Sequence, residues 1–152
     1  MTYLLKAWCG RVGGRWASWG LGIALASVVG CGSSPIALHL IGEPTQNRRN
    51  SVVVHVYQLS GRAAFDRADT ATFWKDDTAA LGTELLEKKD VTMLPDDQQT
   101  RNITLVPKVQ FIGVVADFMR PETDGWKRIV PIGAVKNNQI TIRIKEGQLS
   151  IE

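Results

Sequence analysis

Two stretches decide the fold: Val52-Val53-Val54-His55-Val56-Tyr57-Gln58-Leu59 and Ile140-Thr141-Ile142-Arg143-Ile144-Lys145. The first is dense in β-branched residues, which suit a pleated, half-buried surface. The second alternates strictly, so Ile140, Ile142 and Ile144 share one face of a strand. Ile36-Ala37-Leu38-His39-Leu40-Ile41 has the same character. Working outward, further strands are predicted over 90–93, 102–106, 110–118, 127–132 and 149–151. Lys145-Glu146-Gly147-Gln148 forms the turn into the last of them. Eight short strands punctuated by turns predict a mainly β domain, a two-sheet sandwich or a barrel. One stretch interrupts them. Residues 61–89 lack alternation and predict a short helical insertion, with Ala63, Ala64, Phe65 and Ala68 at helical spacing. Asp69 or Thr70 is placed to cap a turn carrying Phe73 and Trp74. Asp76 is placed to cap a second helix through Ala79, Ala80, Leu81, Leu85 and Leu86, weakened at Gly82.

Upstream of this domain the chain reads as an export signal over residues 1–30. Lys6, Arg11 and Arg15 give a positive start, and no acidic residue precedes Glu43. The apolar run from Trp16 to Val29 is 14 residues long. That is short of the roughly 18–20 an ordinary spanning helix needs, and it fits the apolar region of a signal peptide. Val28-Val29-Gly30-Cys31 follows directly and resembles a bacterial lipobox, with cleavage expected between Gly30 and Cys31. The Cys31 thiol is the nucleophile that takes a covalent lipid, the one non-protein group expected. Cys9 is lost with the signal, so the mature chain has no partner for a disulfide. Residues 31–35 form a lipidated tether, and residues 36–152 the exported domain. Gly32, in place of the Asp that retains such proteins at the inner membrane, favours the periplasmic face of the outer membrane.

Charge and inventory exclude several functions. The full chain carries 18 Lys and Arg against 15 Asp and Glu. Three of those bases lie ahead of Cys31, so the exported part is balanced and carries no footprint for a nucleic acid. His39 and His55 lie on predicted strands without a second ligand at metal spacing. Ser51 and Ser60 sit in no nucleophile elbow. Asp76-Asp77 and Asp96-Asp97 read as caps and turn residues, and Phe65, Phe73, Trp74, Phe111, Phe118 and Trp126 as core. No catalytic or metal-binding constellation is expected. The polar link Gly42–Ser51 (GEPTQNRRNS) stands out, with Arg48-Arg49 between two asparagines. It reads either as a solvated hairpin loop or as a protein-docking loop, since arginine is enriched where surfaces recognise each other.

The order Val52–Leu59, Ala64-Phe65-Asp66-Arg67-Ala68-Asp69 and Phe73-Trp74 resembles the VVVRVYQL…AFxxADFxxLW pattern of the type VI secretion outer-membrane lipoprotein family (TssJ, SciN/VasD-like). The similarity continues through Leu81-Gly82, Leu85-Leu86, Phe111–Phe118 and Trp126–Pro131, behind a lipobox. The resemblance implies a transthyretin-like β-sandwich and no enzymatic activity. Its implied partner is the periplasmic C-terminal domain of the large inner-membrane IcmF-like protein (TssM), itself in complex with TssL. The family's contact loop falls by position on Glu43, Pro44, Thr45, Gln46, Asn47, Arg48, Arg49, Asn50 and Ser51. This chain departs from the family's pattern there, with a shorter loop. The competing class is a lipid-anchored periplasmic ligand-binding module, which needs an apolar cavity with a few convergent polar groups.

Overall fold

The structure, a computed structural model, describes residues 35–152. The predicted signal segment, the lipobox Val28–Cys31 and most of the tether lie outside the described residues. Eight strands are present: β1 Ile36–Gly42, β2 Val52–Leu59, β3 Leu85–Met93, β4 Gln98–Ile103, β5 Phe111–Ala116, β6 Lys127–Pro131, β7 Gln139–Ile144 and β8 Leu149–Ile151. They form two four-stranded sheets, ordered β4-β1-β7-β8 and β3-β2-β5-β6. The predicted two-sheet sandwich is what the chain adopts. All neighbouring strands are antiparallel except β1 and β7, which run parallel.

Alternation explains the packing. Ile36, Leu38 and Leu40 of β1 meet Ile140, Ile142 and Ile144 of β7 on the inner face of one sheet. Val52, Val54 and Val56 of β2, with Ile112, Val114 and Ala116 of β5, supply the other inner face. Between the sheets lies an aliphatic core, whose burial is the dominant favourable term in folding. Gln58 is buried on this side. Its amide donates to Glu87 and to the Thr104 carbonyl (3.0 Å), while its oxygen accepts from Val106 N (2.9 Å). Every polar atom of that side chain is thus partnered, which lets it pin the segment after β4 without the cost of an orphaned group.

The outer face of the β2-β5 sheet is also buried, under three short helices: α1 Ala63–Arg67, α2 Thr70–Lys75 and α3 Asp77–Leu81. Asp69 caps α2 and Asp76 caps α3 through Thr72 N (2.7 Å) and Ala79 N (2.9 Å), as their positions predict. Phe65 and Phe73 stack edge-on against Tyr57, with ring centroids 6.5 and 5.6 Å away, and Phe73 meets Trp126 at 5.4 Å. Gly113 opposite Tyr57 makes room, because a Cβ there would stand 2.7 Å from the Phe65 ring. Lys127 projects from β6 beneath α1, and its ammonium donates to the carbonyls of Phe65 (2.8 Å), Asp66 (3.0 Å) and Ala68 (2.7 Å). It terminates the helix as cationic side chains do. Burial holds its pKa below the usual lysine value, against the pull of Asp66, Asp124 and Asp69.

Four expectations are corrected. The helical insertion does not run to residue 89: α3 stops at Leu81, Gly82 turns the chain at φ +54°, and Leu85–Met93 is a strand. Leu85 and Leu86 therefore lie on β3 and not on a helix. The fourth strand is Gln98–Ile103, where 102–106 was expected; its all-polar start conceals it, while Thr104–Val106 is held by Gln58 instead. Trp74 is 39% exposed and does not belong to the core. Finally, β1 and β2 lie in different sheets, so the link between them is a crossover at one end of the sandwich and not a hairpin.

Candidate functional site

The crossover from Glu43 to Ser51 is built on two buried anchors. Gln46 is 0% and Asn47 3% exposed, contrary to a freely solvated loop. Gln46 Nε2 donates to the Met93 carbonyl (3.1 Å), fastening the loop to the end of β3. Its Oε1 has no hydrogen-bond partner and faces Gly42, where a Cβ would stand only 2.3 Å from it. Gly42 is thus required for the close approach. Asn47 ties the loop in both directions: Nδ2 donates to the Ser51 carbonyl (2.6 Å) and Oδ1 accepts from Met119 N (2.8 Å), after β5. The Glu43 amide donates to the Ile144 carbonyl (2.9 Å), and Gly42 N to that of Asp97 (2.8 Å).

From the second anchor onward the backbone is strained. Asn47, Arg48 and Arg49 take φ values of 43°, 57° and 63° in succession, all left-handed. An L-residue pays about 1–2 kcal/mol for that region, less for asparagine. The conformation is over-determined by its surroundings, with Asn50 Nδ2 donating to the carbonyls of Asn47 (3.2 Å) and Arg48 (3.0 Å). The result is a fixed projection of Arg48 and Arg49 into solvent, and neither guanidinium forms an ion pair among the described residues. Pro44 and Thr45 are exposed at the entry, Asn50 and Ser51 at the exit.

Neighbouring loops complete the surface. Leu94 follows β3 and is 59% exposed; Met119 follows β5 and is 64% exposed. With Trp74 they are the exposed large apolar side chains among the described residues, and both flank this crossover. Arg120 shares a shallow cleft of about 230 Å³ with Arg48, Glu122 and Glu146. The sandwich end therefore presents arginines and two apolar side chains on a rigid backbone. Sequence reasoning singled out residues 43–51 but missed Leu94, Met119 and Arg120. Each stands alone in its loop, and only the strand order brings them to one end.

This end carries no arrangement for covalent chemistry. Among the described residues, no group of three or more His, Cys, Asp or Glu side chains is placed to hold a metal ion. His39 bonds Thr100 (3.0 Å) and His55 bonds Asp90 (2.6 Å), each histidine within one of the two strands that the crossover joins. Asp77 accepts from the Tyr57 hydroxyl (2.5 Å) and pairs with Lys88 (2.7 Å). Burial would raise its pKa, but the hydrogen bonds from Lys88 and Tyr57 outweigh it and hold the carboxyl below its usual range. The Tyr57 phenol is pushed far above its ordinary value, chiefly by burial and then by Asp77.

The architecture is shared with solved structures. The T6SS lipoprotein TssJ1 from Pseudomonas aeruginosa matches with a TM-score of 0.72 at 18% identity, over 79% of this chain and 95% of that one. A chain of a structure described as a type VI membrane complex gives 0.72 at 23%, over 79% and 98%. A chain of a structure described as the T6SS protein TssM C-terminal domain (869–1107) from EAEC gives 0.69 at 21%, over 78% and 97%. No curated protein matches the sequence significantly. At these identities the structural likeness establishes the fold, and the family rests on the sequence. The model of the family described as type VI secretion lipoprotein (VasD, EvfM, TssJ) matches residues 35–147, most of the chain. The chain belongs to the type VI secretion lipoproteins, a family of structural proteins and not of enzymes.

Proposed function

We propose that this chain is a tether of the type VI secretion trans-envelope complex, holding the periplasmic C-terminal domain of the TssM-like inner-membrane protein to the outer membrane. In this reading residues 1–30 are removed as a signal peptide and Cys31 carries the acyl chains. Residues 31–35 keep the domain close to the periplasmic face, and TssL joins through TssM. The observation that carries the reading is the crossover end. Its backbone is strained and locked by Gln46 and Asn47, yet its arginines are unpaired and flanked by exposed Leu94 and Met119. Strain retained at Arg48 and Arg49, whose side chains stay exposed, marks a place shaped for contact. Arginine with a few apolar anchors is also the composition of interface hot spots. One solved structure with this architecture is named for the TssM C-terminal domain, and another for the membrane complex.

A contact of this size is below a standard interface, so micromolar affinity is expected for a single copy. Several copies around one complex would add avidity without new contacts. The test is affinity capture of the tagged, full-length chain from mildly cross-linked envelopes, with mass spectrometry of what co-purifies. Recovery of the TssM-like protein, lost on reversing Arg48 and Arg49 to Glu, supports the reading. Capture of lipoprotein-sorting factors alone, with the secretion cluster expressed, contradicts it.

A further inference from the structure

The two sides of the sandwich are unlike. On one side β6 of one sheet contacts β8 of the other and closes the gap. On the other side stand the edge strands β3 and β4, joined by the turn at 94–97, and a seam remains between them. Register shows what faces this seam. Lys89 lies opposite Val56 and Arg101 opposite Leu38, so both cations point the same way as core residues. Beneath them is a cavity of about 240 Å³ whose floor is Leu38, Val56, Val91 and Ile103, none more than 9% exposed.

Inward charges on edge strands also prevent edge-to-edge pairing. That accounts for the two cations but not for an apolar slot beneath them. Arg101 makes no ion pair among the described residues and donates only to Gln99 (2.6 Å), while Lys89 has Glu87 at 3.5 Å. Asp90, also at the mouth, is engaged by His55 (2.6 Å) on the opposite face of β3. An apolar slot under two cations matches a ligand with an anionic head and an aliphatic tail. The position of the seam selects the source of that ligand. Ile36 opens β1 opposite Ile103, a residue of the cavity floor. The five residue steps from Cys31 to Ile36 span at most roughly 18 Å.

We propose that the β3–β4 seam binds an anionic phospholipid from the membrane leaflet, its phosphate between Lys89 and Arg101 and the upper part of one acyl chain in the slot. For access to the leaflet this rests on the lipid-anchor reading above. Bound this way, the domain gains an oriented contact with the membrane in addition to its anchor. Its crossover end, where the β3–β4 turn lies, is then held in a fixed direction.

The test incubates the full-length chain with phosphatidylcholine vesicles containing phosphatidylglycerol that bears a photoactivatable tail, and maps the adducts by mass spectrometry. Adducts are expected in peptides carrying Leu38, Val56, Val91 or Ile103. They should fall about tenfold in the Lys89→Gln/Arg101→Gln variant, as for the loss of charge-assisted phosphate contacts. Val91→Trp, which fills the slot, should abolish them; thermal melts establish that each variant folds, and Arg101→Gln alone serves if the double variant does not. Adducts confined to other surfaces, unchanged in the variants, or equal with a photoactivatable phosphatidylcholine overturn the proposal. The Cys31→Ser protein in detergent micelles separates the two readings. Seam adducts there, with an unlipidated Cys31 peptide in the wild type, contradict the anchor alone. A lipidated Cys31 peptide with an unlabelled seam contradicts the lipid site alone.

Discussion

At the scale of single residues, Arg48 and Arg49 occupy a conformation that suits glycine, and the fold tolerates this because Gln46 and Asn47 hold both flanks. Arg48→Gly removes the steric cost of the left-handed region but gives freedom to the unfolded chain. The net expectation is a gain of up to about 1 kcal/mol in denaturant unfolding, together with weaker partner binding. A loss of stability would show that the Arg48 side chain packs in a way its exposure does not reveal. Asn47→Ala should act oppositely. It strands the Met119 amide and the Ser51 carbonyl, costing about 1–3 kcal/mol, and adds strain at φ 43°. Calorimetric melting of the two variants, one up and one down, checks both. These roles were only partly legible in the sequence. The run Asn-Arg-Arg-Asn marked the loop as unusual, but burial of Asn47 depends on Met119, 72 positions away. No local pattern encodes that.

At the scale of elements, the helical insertion is a lid on the outer face of one sheet, fastened by an aromatic cluster, two aspartate caps and Lys127. Gly113→Ala presses a methyl into the Phe65 ring and should cost about 1–3 kcal/mol, read as a lower denaturant midpoint. Asp77, where α3 meets β2 and β3, gives the lid a pH dependence. Its folded-state pKa is depressed, so its contribution is present above the unfolded value near 4 and is lost as pH falls through the folded one. Asp77→Asn should be less stable than wild type at neutral pH, and the difference should shrink as the solution is acidified. A difference that stays constant down to pH 2 would contradict the pairing with Lys88 and Tyr57. Tyr57 has the opposite limb. Its phenol stays protonated in the fold where the unfolded chain loses its proton, so it draws stability down above about pH 10. Lys127, held below its usual value, adds a rise in stability that is complete by about its unfolded value near 10.4, where the tyrosine limb begins, so Tyr57→Phe isolates the tyrosine term. Strict alternation and aspartate caps made most of these elements readable in advance. The start of β3 was not, because Leu81, Leu85 and Leu86 repeat at helical spacing while the chain has already turned at Gly82. The start of β4 was hidden for another reason: an edge strand with mostly exposed residues need not alternate.

At the scale of the whole molecule, the crossover between sheets collects at one end what the sequence scatters: Arg48, Arg49, Leu94, Met119 and Arg120. Sequence motifs sufficed to identify the family, since residues 35–147 carry them in order. The apolar flanks of the crossover end became visible only when the strand order placed 94 and 119 beside 47. The central claim is that this end binds the TssM periplasmic domain. Its most direct test is a surface-immobilised titration of the full-length chain with the purified periplasmic domain of the TssM-like protein from the same secretion cluster. Wild type should bind with a micromolar Kd. Arg48→Glu/Arg49→Glu, and separately Leu94→Ser/Met119→Ser, should weaken binding at least about tenfold, equivalent to about 1.4 kcal/mol, with melting temperatures unchanged. Unaltered affinity in both well-folded variants would place the contact elsewhere on the sandwich and contradict the account.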